Sequence, residues 1–184
     1  LADITPDDMI ASVDHVLAGE YSTDSRLLLE ATLTRADGSK EVAYALNDVV
    51  LQRRDTGRMV DFKTTVDDVY INTHSGDGLI VATPTGSTAY ALSCGGPILE
   101  PQLNAVVVVP ICPHTLTDRP LVLSAAQEIE VRLLERDDTE AEITVDGFPT
   151  GGIFPDDKLA ISAANTRVTL VHPPDYDFYG ILRS

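Results

Sequence analysis

Basic residues are scarce in this chain: 13 Lys and Arg stand against 29 Asp and Glu, for a formal net charge of −16 over 184 residues. Nucleic acid and anionic membrane surfaces demand a basic footprint, so this balance excludes both as partners. It also requires that any anionic ligand be held locally, by backbone amides, a helix dipole or a few arginines, and not by the overall field. Cysteine is nearly as rare. Cys94 and Cys112 form no Cys-x-x-Cys pair and the 4 histidines are scattered, which excludes a zinc site of ordinary spacing. Two free thiols in a reducing cytosol fit that usage. No apolar run approaches membrane-spanning length, and the longest, Ala105 to Val109, reads as a buried strand. The N-terminus lacks the basic and apolar regions of an export signal, so a cytoplasmic location is expected. Internal repeats, low-complexity tracts and coiled-coil heptads are also missing.

What remains is an ordinary globular composition, 43% hydrophobic and 23% charged, long enough to bury a real core. Thr5-Pro-Asp-Asp8 supplies a hydroxyl cap, a first-turn proline and carboxylates against the dipole. Met9, Ile10, Val13 and Leu17 then share a face before Gly19 closes the helix. Beyond it the chain reads as strands. Leu27 to Thr34 and Lys40 to Leu46 flank the Asp-Gly turn Ala36–Ser39. Val60, Phe62, Thr64 and Val66 alternate, as do Ile129, Val131 and Leu133, then Ile143 and Val145, Leu159 and Ile161, Val168 and Leu170. Leu79 to Thr83 and Val106 to Val109 suit strands buried on both faces. The expected fold is mainly β: an antiparallel β-sandwich of about eleven to twelve strands, with an N-terminal helix and one short helix near Ser87–Ser93. Residues 1–20 read as helix and linker, 21–172 as the sandwich, and 173–184 as a tail leaving it.

The most informative segment is Asp77 to Pro97. An acidic turn leads through an apolar strand into Thr83-Pro-Thr-Gly-Ser-Thr88, and a short helix ends at Gly95-Gly96-Pro97. It is not a Walker phosphate loop, since no lysine follows the glycine, and Ser87 lacks the frame of a nucleophile elbow. As a plain capping motif, Ser87 would cap the helix and the glycines would end it. The density of hydroxyls points instead to a binding loop, with helix-start amides and hydroxyls converging on a ligand. Asn47-Asp48, between the apolar runs Val42 to Leu46 and Val49 to Leu51, taken alone reads as a turn or bulge. The same two side chains are chemically suited to ribose hydroxyls and an amide. Asp77-Gly78 and Asp146-Gly147 read by default as hairpin turns, His114 and Arg119 as loop residues, and Arg58 as solvated.

Taken together, Leu46-Asn-Asp-Val-Val-Leu51, Ser75-Gly-Asp-Gly78, Thr83-Pro-Thr-Gly-Ser-Thr-Ala-Tyr90, Ser93-Cys-Gly-Gly-Pro97, Pro113-His-Thr-Leu116 with Arg119-Pro-Leu121, and Val145-Asp-Gly147 resemble the bacterial ATP-NAD kinases. The similarity runs over essentially the whole chain. It implies an enzyme that moves the γ-phosphate of ATP to the 2′-hydroxyl of the NAD adenosine ribose, with Mg²⁺ or another divalent cation accompanying ATP. It further implies an N-terminal α/β domain joined to a C-terminal β-sandwich, and homodimers or homotetramers that share NAD contacts between subunits. In this sequence the resemblance assigns Asn47 and Asp48 to the NAD ribose. Thr85, Thr88, Ala89 and Tyr90, with the helix residues Ala91, Leu92 and Ser93, fall to the adenine and pyrophosphate. Asp77 falls near the nicotinamide end, reached across the subunit interface, and Arg58 near the ligand. Phe148 stands where the family has a polar contact, a departure that leaves its role open.

A larger departure is the absence of the family's Gly-Gly-Asp-Gly motif, which carries the general-base aspartate of the N-terminal domain. The chain starts at Leu1 and reads as a C-terminal domain with no catalytic base of its own, expected to bind NAD weakly and to lack kinase activity alone. Two other readings stay open on sequence: a related two-domain lipid kinase of the sphingosine or diacylglycerol type, and a non-catalytic nucleotide-binding sandwich.

Overall fold

The computed structural model describes residues 4, 6–54, 59–115, 117–134 and 140–183. Contacts divide the chain into two compact units, Leu27–Thr166 and a smaller one formed by Leu1–Arg26 with Arg167–Ser184.

Twelve strands appear among the described residues, in two six-stranded sheets. Sheet A has the order β2-β1-β12-β9-β4-β5, from β1 (Ser22–Thr34), β2 (Lys40–Ala45), β4 (Val60–Val66), β5 (Val69–Gly76), β9 (Ile129–Leu133) and β12 (Lys158–His172). Sheet B has the order β11-β10-β3-β6-β7-β8, from β3 (Asp48–Arg53), β6 (Gly78–Ala82), β7 (Ala105–Ile111), β8 (Leu121–Ser124), β10 (Ala141–Val145) and β11 (Phe148–Ile153). The expected antiparallel sandwich is what forms. Alternation is its cause: in β4, Val60, Phe62, Thr64 and Val66 are buried, and in β9 Ile129, Val131 and Leu133 are. Their side chains join Leu29, Leu51, Leu79, Val81, Ile143 and Leu159 in one core between the sheets.

β3, β6 and most of β7 are buried on both faces, as their unbroken apolar runs require. The outer face of sheet B carries a second cluster of Val50, Ile80, Ala82, Val107, Val109 and Ile111, covered by Ala91 and Leu99. Ala91 belongs to α2 (Tyr90–Ser93), which follows a 3₁₀ turn at Gly86–Thr88; these two pieces are the short helix expected near Ser87.

The hairpin turn expected at Ala36–Ser39 forms. The Asp-Gly turn joins β1 to β2, and Asp67-Asp68, both at positive φ, joins β4 to β5. Two readings change. The runs around Leu159–Ile161 and Val168–Leu170 form one 15-residue strand, β12, because nothing between them breaks the extended backbone. Asp77-Gly78 is not a hairpin turn: β5 pairs with β4 and β6 with β3 and β7, so the chain changes sheets there.

In the smaller unit α1 (Met9–Leu17) follows Asp8, which makes no side-chain cap bond; Thr5, the expected cap, lies outside the described residues. Asp24 and Arg26 form a buried ion pair at 2.6 Å, Arg26 also donates to the Tyr176 hydroxyl at 3.3 Å, and the Tyr176 ring stacks on His172 at 3.8 Å. The tail carries a short helix that sequence did not announce, α3 (Phe178–Arg183).

Phe62 is wholly buried and is the largest such side chain of the core. Truncation to Ala is expected to lower the unfolding free energy in urea by about 3–5 kcal/mol, with the m-value unchanged.

Candidate functional site

Three segments meet at one end of sheet B. They are the bend Leu46–Asn47, which carries the chain from β2 in sheet A to β3 in sheet B, the loop from Thr83 beyond β6, and the Asp146-Gly147 turn between β10 and β11.

Asp146 and Gly147 adopt φ of 49° and 80°, the left-handed pair that a two-residue hairpin turn needs. The turn directs the Asp146 carboxylate into the bend. One oxygen accepts the Leu46 N–H at 2.8 Å, and the other accepts those of Asn47 at 2.7 Å and Asp48 at 3.1 Å. The Asp146 N–H in turn donates to the Asp48 carbonyl at 3.0 Å. Amides that would be orphaned where the chain leaves one sheet for another are thereby satisfied by one side chain.

The Thr83 loop docks on the same bend. Its N–H donates to the Asn47 carbonyl at 2.9 Å. Its hydroxyl donates to the Leu46 carbonyl at 2.6 Å and accepts the Gly86 N–H at 3.1 Å. Gly86 passes so near that a Cβ there would lie 2.1 Å from the Asn47 carbonyl oxygen, so no larger residue fits without moving backbone.

The hydroxyls do not all turn to a ligand. Thr83 and Ser87 are fully buried and hold the loop together: the Ser87 hydroxyl donates to the Pro84 carbonyl at 2.6 Å and accepts the Leu99 N–H at 2.9 Å. Ser87 therefore ties the loop to the segment after α2 and caps no helix. The amides of Gly86, Ser87 and Ala89 also bond within the loop, which removes them from the expected set of ligand donors. Thr85 and Thr88 are half-buried, Ala89, Tyr90, Leu92 and Ser93 are exposed, and Ala91 is buried against sheet B. The structure thus brings Asn47 and Asp48 together with the Thr83–Gly86 turn at one rim, with Thr88 and Ala89 further along the same loop. Phe148 stands beside it, directly after the Asp146-Gly147 turn and 75% exposed. Arg58 lies outside the described residues.

Asp77 is elsewhere. It precedes β6 as Thr83 follows it, so the two are roughly 20 Å apart along an extended strand. Its N–H donates to the Ile111 carbonyl at 3.0 Å and its carboxylate meets Arg53 Nε at 3.1 Å. The loop bearing His114 and Arg119 is tied to this end: the His114 N–H donates to the Ser75 carbonyl at 2.8 Å, while buried Asp118 lies 3.3 Å from His74 and bonds Asn72. Burial pushes the Tyr90 phenol up, and the Cys94 thiol, Cys112 and Asp77 add to that.

Sequence reasoning missed Asp146 as the organiser of the site. The Asp-Gly pair after Val145 marks the position in the family resemblance, but a turn explains that pair fully and nothing local shows which amides the side chain binds. Asp48, 5% exposed, is pushed up to about 6, first by burial and then by the nearby Asp146 charge.

Asp146→Ala leaves the bend amides without their acceptor and is expected to cost at least about 2 kcal/mol in urea unfolding, with Asp146→Asn recovering part of the loss through its remaining oxygen. Asp48 has a folded value above its unfolded one of 3.8, so the stability it contributes is full below that value and is lost as pH rises through about 6. The melting temperature of Asp48→Asn should therefore match the parent near about pH 4 and exceed it near about pH 7.

Residues 46–173 match the model of the ATP-NAD kinase C-terminal domain, a span that contains the bend, the Thr83 loop and Asp146. The whole chain aligns with the NAD kinases of Tolumonas auensis (40% identical over 185 residues), Nitrosococcus oceani (42% over 184) and Thiobacillus denitrificans (43% over 183). It spans 63%, 63% and 62% of their respective lengths. The crystal structure of yeast NADH kinase complexed with NADH superposes with a TM-score of 0.88 at 26% identity, over 97% of this chain and 55% of that one. An NAD kinase from Archaeoglobus fulgidus in complex with ATP shares the fold, with a TM-score of 0.81 at 24% identity over 100% of this chain and 68% of that one. The chain belongs to the ATP-NAD kinase C-terminal domain family.

Proposed function

We propose that this chain is the NAD-binding and self-associating part of an NAD kinase, an enzyme that transfers the γ-phosphate of ATP to the 2′-hydroxyl of the NAD adenosine ribose to give NADP. The observation that carries the reading is that the family match spans every segment of the rim at Asn47, Thr83 and Asp146, with each of them fixed by hydrogen bonds. On this reading Asn47 and the Asp48 carboxylate hold ribose hydroxyls, and Thr85, Thr88, Ala89, Tyr90, Leu92 and Ser93 line the path of the adenine and pyrophosphate. Phe148 offers an exposed ring beside them in place of a polar contact. The buried Ala91 supports the helix from beneath.

Phosphoryl transfer depends on positioning and on neutralising the γ-phosphate, with a base aligned to the attacking oxygen. The sequence carries no Gly-Gly-Asp-Gly motif to supply that base. Among the described residues no group of three or more His, Cys, Asp or Glu side chains is arranged to hold a metal ion. We therefore assign the divalent cation to the ATP substrate and not to these side chains. Asp77, at the far end of β6, is proposed to reach NAD bound by a second copy, which makes a homodimer or homotetramer the working form. Among the described residues no helix is long and apolar enough to cross a membrane. We take the cytoplasm as the site of action.

Calorimetric titration of NAD into the 184-residue chain tests the reading. Weak binding is expected, with no NADP formed from ATP and Mg²⁺; full turnover by this chain alone would overturn the division of labour. In a longer protein that includes the Gly-Gly-Asp-Gly motif, Asn47→Ala and Tyr90→Ala should each weaken NAD binding by about 1–3 kcal/mol. Unchanged Michaelis constants for NAD in both would remove the site assignment.

A further inference from the structure

The chain changes sheets a second time between β5 and β6, at Gly76 to Gly78, and the loop after β7 closes over that crossing. The Asp77 N–H donates to the Ile111 carbonyl at 3.0 Å, and the His114 N–H donates to the Ser75 carbonyl at 2.8 Å. Between these two bonds the backbones nearly touch: a Cβ at Gly76 would lie 2.7 Å from the Ile111 oxygen and 2.9 Å from that of Cys112. Further along the loop, buried Asp118 turns back onto β5. One of its carboxylate oxygens accepts from Asn72 Nδ2, and the other lies 3.3 Å from His74 Nδ1. The Asn72 amide is oriented for this, because its own oxygen already accepts the Thr73 N–H at 2.8 Å. His74 is buried as well, and its Nε2 has no hydrogen-bond partner among the described residues. An unpaired buried nitrogen subtracts from stability, and an apolar pair could fill the same space. What a carboxylate bonded to two residues of one strand supplies is direction.

We propose that Asp118 is a positioning residue for Asp77. Held by Asn72 and His74, it pegs the loop that begins at Cys112 against β5. The start of that loop in turn fixes the Asp77 main chain, through the Ile111 carbonyl and the close pass over Gly76. From the other side, the Arg53 N–H donates to the Asp77 carbonyl at 2.9 Å and Arg53 Nε meets the Asp77 carboxylate at 3.1 Å. Asp77 is thereby set between β3 and the loop, and the loop keeps its place only while its far end is pegged. The device parallels Asp146 at the first crossing: Asp118 lies 44 and 46 positions from His74 and Asn72, and no local pattern announces the contact. The step from a fixed Asp77 to the ligand rests on the function proposed above, in which Asp77 reaches NAD bound by a second copy.

Hydrogen exchange in the 184-residue chain, with kinetics in a longer protein that carries the Gly-Gly-Asp-Gly motif, tests this. Asp118→Ala is expected to speed exchange of the Asp77 and His114 amides by about tenfold or more, while those of Leu46, Asn47 and Asp48 keep their rates. Asp118→Asn, which keeps one acceptor oxygen, should fall between the parent and Asp118→Ala. Should Asp118→Ala not fold, Asn72→Ala gives the same readout with the His74 contact left in place. Unchanged exchange at both amides overturns the proposal. Faster exchange throughout the sandwich also overturns it, since Asp118 would then serve stability alone. In the longer protein, Asp118→Ala and Asp77→Ala should each raise the Michaelis constant for NAD by about threefold or more with kcat nearly unchanged. The double variant should be no worse than Asp77→Ala, and additive losses overturn the positioning role. If Asp77→Ala leaves the Michaelis constant unchanged, the assignment of Asp77 to NAD falls instead, and the exchange result decides whether Asp118 positions it.

Discussion

The candidate site depends on one carboxylate. Where the chain leaves β2 for β3 it gives up the ladder of one sheet before entering the ladder of the other, and the amides of Leu46, Asn47 and Asp48 all turn to Asp146. A charged acceptor shared by several backbone donors is among the stronger hydrogen-bonding arrangements a protein makes. Its geometry is fixed because Asp146 sits in a two-residue turn held by β10 and β11. With the bend rigid, the Thr83 loop has a surface to dock on, and the close pass of Gly86 over the Asn47 carbonyl leaves that loop one seating.

The clamp has an electrostatic cost that falls on its neighbour. Asp146 is held by backbone amides, while Asp48 carries burial and then the like charge of Asp146, which together push it up to about 6. Such a carboxylate costs the fold stability once pH rises above about 6, where its charge must be carried in a buried position.

The elements that could be read from sequence are those whose signal is local. Alternation in β4 and β9, continuous apolar runs in β6 and β7, and the turn at Asp37-Gly38 each depend on a few adjacent residues. What could not be read is where the chain changes sheets. Asn47 and Asp77 look like turn residues because a sheet crossing and a hairpin use the same short polar residues, and only the pairing partners separate them. The role of Asp146 was hidden for the same reason: it lies 98 to 100 positions from the amides it binds. The Thr83 loop was legible as special, but its most buried hydroxyls, Thr83 and Ser87, bind the loop to the fold, and the half-buried Thr85 and Thr88 are the ones that keep exposed surface.

This division of hydroxyls and amides bears on how an acidic chain can receive a phosphorylated ligand. The bend amides are committed to Asp146, and those of Gly86, Ser87 and Ala89 are committed to the loop. With a net charge of −16 there is no favourable field to replace them. A rim of this kind can hold ribose and a base through neutral or single-carboxylate contacts, but it neutralises little phosphate charge. On the proposed function, that neutralisation must come from a cation carried by the nucleotide and from chain that the longer relatives possess beyond the part aligned here. Binding and charge compensation would then reside on separate parts of the enzyme, so that the transferring phosphate is stabilised only when the two close on NAD together.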